Sequence, residues 1–110
     1  MQVIRTKRYV KDLKRIGVTA SEQEKLEQAI ATDPFVGDVV PGLRGVRKVR
    51  FGFGGRGKRG GGRAIYFLVV TEDAALMMFA YAKNEQSDLT NEQRRAALAL
   101  IEDVTDDQEE

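Results

Sequence analysis

The chain has 110 residues, 42% of them hydrophobic, with no cysteine and no histidine. That length fits one domain on one core, and the missing residue types exclude disulfides, thiolate nucleophiles, the usual zinc sites and any catalytic scheme that needs an imidazole. The net charge is only +1, but it averages a basic amino-terminal part and an acidic end, so a basic face and an anionic partner are expected.

Gln2–Arg5 reads as a short strand. Thr6 then caps a helix in which Tyr9, Leu13 and Ile16 recur at helical spacing with Val10 beside them, and Gly17 sits where the helix should stop. Ser21 and Glu24 have capping-box spacing, and Leu26, Ala29 and Ile30 mark a second helix that Pro34 ends. Residues 35–45 hold Pro41 and three glycines and read as a loop.

Val46–Phe51 alternates as a half-buried strand does, with Val49 and Phe51 on one side and Lys48 and Arg50 on the other. It opens the most unusual part of the chain. Between Arg44 and Arg63 stand eight Lys or Arg residues, with seven glycines packed into Gly52–Gly62, and no Asp or Glu occurs between Asp38 and Glu72. Arg63–Thr71 follows as a β-branched and aromatic strand, Ile65, Phe67 and Val69 facing one way and Tyr66, Leu68 and Val70 the other. A turn at Glu72–Ala74 and a strand at Leu76–Ala82 complete an antiparallel meander. Thr90 and Gln93 cap a last helix carrying Ala97, Leu100, Ile101 and Val104 on one stripe, and residues 105–110 read as a frayed acidic tail. The expectation is a single α+β domain over residues 1–110. No apolar run approaches the ~20 residues of a membrane span, and no secretory signal is visible, which suits the cytoplasm.

Two motifs mislead. Gly52, Gly54 and Gly57 match GxGxxG, and Gly52–Lys58 matches GxxxxGK, but both need a helix to begin at once so that its amino terminus can hold phosphate. Here Arg59 stands where the magnesium-binding Ser or Thr should be, and three more glycines follow. A basic hairpin loop is the better reading, with Arg47, Arg56, Lys58 and Arg59 against a phosphate backbone. Lys48, Arg50, Arg63 and Lys83 are the candidates for catalysis: clustered cations can stabilise the extra charge of a pentavalent phosphate when RNA is cut by its own 2′-hydroxyl. Tyr66 and Tyr81 are candidates to stack a base. The alternative is a basic surface that binds RNA or a protein target without chemistry.

KVRFGFGGRGKRGGGRAIYF and FAYAKNEQSDLT, in this order of elements, resemble the RelE/HigB class of toxins from bacterial type II toxin–antitoxin pairs. The resemblance spans nearly the whole chain. It implies a small microbial-RNase-like fold, an antiparallel sheet against two amino-terminal helices with a carboxy-terminal helix. It also implies metal-independent cleavage of mRNA in the ribosomal A site, no cofactor, and a cognate antitoxin. By position, Lys48 and Arg50 look like the family's basic pair, Arg63 like its strand-opening arginine and Lys83 like its closing cation. Asn84 and Thr90 stand where RelE proper has a further arginine and a tyrosine, which fits the HigB-like branch and leaves the base and acid unassigned. ParE toxins share the fold and inhibit DNA gyrase instead.

Overall fold

The computed structural model describes residues 1–55, 57 and 60–109. In chain order the elements are β1 (Gln2–Arg5), α1 (Lys7–Ile16), α2 (Ala20–Thr32), β2 (Asp38–Val39), β3 (Arg47–Phe51), β4 (Gly62–Val69), a 3₁₀ turn at Val70–Glu72, β5 (Ala74–Ala82) and α3 (Asn91–Glu109). They build one five-stranded sheet in the order β1-β5-β4-β3-β2. The expected meander β3-β4-β5 is present, and β1 adds to it in parallel along β5. An all-antiparallel sheet was therefore too simple, because α1 and α2 carry the chain across one face before it re-enters the sheet.

The helix ends follow local chemistry. Thr6 accepts the Tyr9 N–H at 3.1 Å, and Gly17 closes α1 at φ 85°, a conformation glycine adopts without penalty. The cap of α2 is Thr19 with Glu22, each side chain bonded to the other's backbone N–H, rather than Ser21 with Glu24. The reason is the short connection from Gly17: Thr19 is already extended there, and Ser21 falls inside the first turn. Thr90 and Gln93 form the reciprocal box that starts α3.

Three boundaries differ from expectation. Residues 38–39, read as loop, pair with β3, Asp38 opposite Lys48. The central strand ends at Val69, since Val70 turns out to solvent and Asp73 reverses the chain at φ 48°, so β5 begins at Ala74. The backbone of α3 continues to Glu109, through the acidic segment where sequence alone expects a tail; no Gly or Pro stands there to stop it.

The sheet is covered on both faces. Tyr9 and Leu13 of α1 and Leu26 and Ile30 of α2 pack on Val49, Phe51, Ala64, Tyr66 and Met77. Ala97 and Ile101 of α3, with Val40, Leu43 and Val46, pack on Ile65, Val69, Met78, Phe79 and Tyr81. Every residue of β5 is buried. Its alternation breaks once: Ile65 pairs with Phe79 but Tyr66 with Met77, leaving Met78 as an extra residue, and Met78 and Phe79 both face the α3 side. Thr6 seats α1 on this bulge, its hydroxyl 2.9 Å from the Met77 carbonyl and 3.1 Å from that of Met78.

Two buried carboxylates tie the helices down. Asp12 accepts the Ala80 N–H at 3.0 Å, beyond the reach of β1, and pairs with Arg15. Glu27 accepts from Arg5 at 2.6 Å, the Tyr9 hydroxyl at 2.9 Å and Gln23 at 3.0 Å. Burial pushes the Glu27 pKa up, but the hydrogen bonds from Arg5, Gln23 and Tyr9 and the Arg5 charge together hold it below the ordinary glutamate value. A lowered folded pKa stabilises the fold above the unfolded value of about 4.3, and that contribution is lost as pH falls through the folded value. Glu27→Gln should cost about 1–3 kcal/mol at neutral pH and flatten the acid limb of the stability profile. Urea midpoints at neutral and acid pH check this; an acid limb as steep as in the wild type would contradict it.

Candidate functional site

On the α3 side of the sheet, where β3, β4 and β5 run past the end of the helix packing, lies an open cleft of about 610 Å³. Lys48 and Arg50 enter it from β3, Arg63 from the start of β4, Lys83 from just after β5 and Arg94 from α3, with Asp38 and Asp88 as its carboxylates. Five cations thus face two acids across one concavity. The four residues singled out for catalysis, Lys48, Arg50, Arg63 and Lys83, are all among them.

Strand parity explains the convergence. The Val40 N–H bonds to the Val46 carbonyl at 2.8 Å, so by the two-residue period Lys48 and Arg50 direct their backbone groups toward β2 while Arg47, Val49 and Phe51 bond to β4. Arg50 and Arg63 are direct cross-strand partners, and they form the non-hydrogen-bonded type of pair, in which side chains stand closest. Close approach at this corner needs glycine. A Cβ on Gly62 would lie 2.5 Å from the Phe51 ring, and one on Gly61 would lie 2.3 Å from the Phe51 carbonyl. The Gly61 carbonyl in turn receives the Lys83 N–H at 2.9 Å, which fixes Lys83 at the mouth of β4.

Arg63 is only 6% exposed and donates to the Gly62 carbonyl at 2.9 Å. Burial first, and the charge of Arg50 second, push its pKa below the ordinary arginine value, with Tyr81 opposing; a guanidinium still remains protonated in such a setting. Lys48 lies 3.4 Å from one oxygen of Asp88, and Arg94 lies 3.4 Å from the other. The Leu89 N–H, donating at 2.8 Å, is the largest influence holding the Asp88 pKa down, helped by Lys48 and Arg94 against burial. Among the described residues, neither Arg50 nor Lys83 has a carboxylate partner.

The candidates for RNA binding fare differently. Arg47 points to the opposite face of the sheet, where it donates to the Gly37 carbonyl at 2.7 Å and stacks on Phe35 at 4.9 Å. It holds the loop before β2 and does not reach the cleft. Tyr66 and Tyr81 are fully buried and present no ring to a base. Tyr66 sits under α2, accepting the Gly37 N–H at 3.0 Å and donating to the Pro34 carbonyl at 2.7 Å. Tyr81 lies beneath the cleft floor among the charges of Asp88, Arg63 and Arg94, burial being the main cause of its raised pKa. Arg56, Lys58 and Arg59 lie outside the described residues. Arg94 and Asp88 were not foreseen. Asp88 stands two residues before the Thr90 cap, a spacing that hints at a turn, and nothing local marks Arg94.

The family model described as the RelE toxin of the RelE/RelB toxin–antitoxin system matches residues 1–110. Two solved structures are similar in fold. One is an E. coli RelE toxin with two arginines replaced by alanine, in the free state: 12% identical, TM-score 0.62, covering 91% of this chain and 96% of that one. The other is the isolated E. coli RelE toxin: 11% identical, TM-score 0.56, covering 90% and 97%.

Like charges directly opposite one another on adjacent strands destabilise a sheet. Arg50→Gln should therefore raise stability by about 0.2–1 kcal/mol while weakening the cleft's hold on a phosphodiester oligomer. Thermal melts paired with oligomer titrations check it; a melting temperature that falls would show the two arginines are not in conflict.

Proposed function

The chain belongs to the RelE family of toxins, and we propose that it is a ribosome-dependent mRNA endonuclease that arrests translation, held in check by an antitoxin partner. Membership carries the toxin and antitoxin roles. What supports the chemistry is the gathering of Lys48, Arg50, Arg63 and Lys83 from three neighbouring strands on one concave face.

In that reading the 2′-hydroxyl of the message loses its proton and attacks the adjacent phosphorus. The P–O2′ bond forms, the P–O5′ bond breaks, and the leaving 5′-oxygen takes up a proton. Arg63 and Arg50 are permanent cations, one of them set in a buried, preorganised position, and they meet the charge that grows on the nonbridging oxygens. Of Lys48 and Lys83, one as a neutral amine takes the 2′-hydroxyl proton and the other as an ammonium gives a proton to the 5′-oxygen, exchanges a guanidinium cannot make. Arg56, Lys58 and Arg59 would contact the phosphate backbone, as the sequence suggests. The reaction belongs where ribosomes translate, in the cytoplasm, and no helix among the described residues is long and apolar enough to cross a membrane.

Expression in growing bacteria with mapping of transcript ends tests this directly. New cuts in phase with codons that vanish in Arg63→Ala are expected, with activity down by roughly 10²–10³-fold, as for loss of a preorganised charge-stabilising group. Growth arrest with intact transcripts would instead point to a non-catalytic binder or a gyrase inhibitor. With purified components, ribosome-bound message should be cut faster than naked RNA; equal rates would remove the ribosome from the mechanism.

A further inference from the structure

We propose that Arg94 is a phosphate-binding residue of the cleft, and that the Asp88 carboxylate is an internal substitute for that phosphate, holding Lys48 and Arg94 apart until substrate replaces it. This rests on the reading of the cleft as a phosphodiester site. Asp88 joins opposite walls of the cleft: Lys48 reaches it from β3 and Arg94 from α3, one to each carboxylate oxygen. A phosphodiester also offers two nonbridging oxygens on one centre, one for each of these cations.

Both contacts are 3.4 Å, longer than the ~2.7–2.9 Å of a well-formed charge-assisted bond. The Asp88 side chain is also 52% exposed, so each contact is weak and readily exchanged. The Leu89 N–H holds the carboxylate more tightly, at 2.8 Å. Asp88 can thus release the two cations and keep its own anchor.

Arg94 sits on a rigid support, its N–H bonded to the Thr90 carbonyl at 3.0 Å in the first turn that the Thr90 and Gln93 box closes. Asp88, Arg63 and Arg94 all act on the buried phenol of Tyr81. Arg94, Asp88 and Arg63 also line the same cleft, so Arg94 faces the space that Arg63 faces.

The test is binding of a fluorescent, uncleavable oligodeoxynucleotide to the full chain across a salt series, with melting curves on each variant. Arg94→Gln should weaken binding roughly tenfold at low salt and reduce the slope of log affinity against log salt by about one. Asp88→Asn should tighten binding by roughly threefold or more at low salt, since a competing anion is gone, and that gain should shrink when Arg94 is also Gln. Arg94→Gln with unchanged affinity and slope overturns the assignment. So does an Asp88→Asn variant that melts lower and binds no better, which is the behaviour of a residue serving only the start of α3. Because this readout needs no cleavage, a wild type that binds and responds in these ways but cuts no message would sink the endonuclease reading and leave this one standing. A wild type that cuts message while Arg94→Gln keeps its KM and salt slope does the reverse.

Discussion

The structure depends on β4 and β5 being apolar on both faces. A strand clothed on one side only would leave its other side polar along its whole length, and a cationic cluster could then stand anywhere. Here α1 and α2 close one face and α3 with the 40–46 segment closes the other. Within β4 and β5 themselves the one charged side chain, Arg63, stands where this double cover stops. The cleft is the uncovered corner of two strands that are otherwise mostly buried.

That corner is held in an unfavourable state. Arg50 and Arg63 are close cross-strand neighbours of the same sign, and Arg63 is buried as well. Neither feature helps the fold, and both lower the pKa of Arg63. The surrounding structure compels them: Gly61 and Gly62 let β4 start against the Phe51 ring, and the hydrogen bond between the Lys83 N–H and the Gly61 carbonyl locks β5 to the same point. Preorganisation of this kind places positive charge before substrate arrives, so the cost is met in folding rather than at the reaction.

Much of this was legible in the residues. Alternation along Val46–Phe51 puts Lys48 and Arg50 on one face, and Arg63 and Lys83 fall at strand ends that meet when β3, β4 and β5 are neighbours, while the face Arg63 shares with Arg50 follows from the register. The tyrosines were not legible in this way, because a strand buried on both sides gives an aromatic residue no polar face to signal its surroundings. Arg47 was lost to a partner that has no sequence signature, the backbone carbonyl of Gly37. Arg94 and Asp88 reach the cleft only through the way α3 crosses the sheet, which no local pattern encodes. The place of the α2 cap was decided by the length of the turn before it, where two capping pairs overlapped in sequence.

The extra residue at Met78 bears on this cluster in a way that distance conceals. Were β5 regular, strict alternation from Ala74 and Leu76 would turn Tyr81 and Lys83 toward α1 and α2, since a shift of one residue exchanges the two faces of a strand. Because Met78 is inserted, the far half of β5 is inverted and Lys83 emerges beside Arg63. Straightening β5 with all nine of its residues kept would therefore change the sidedness of the toxin: the same cations would be present in the same order, with one of them delivered to the wrong surface.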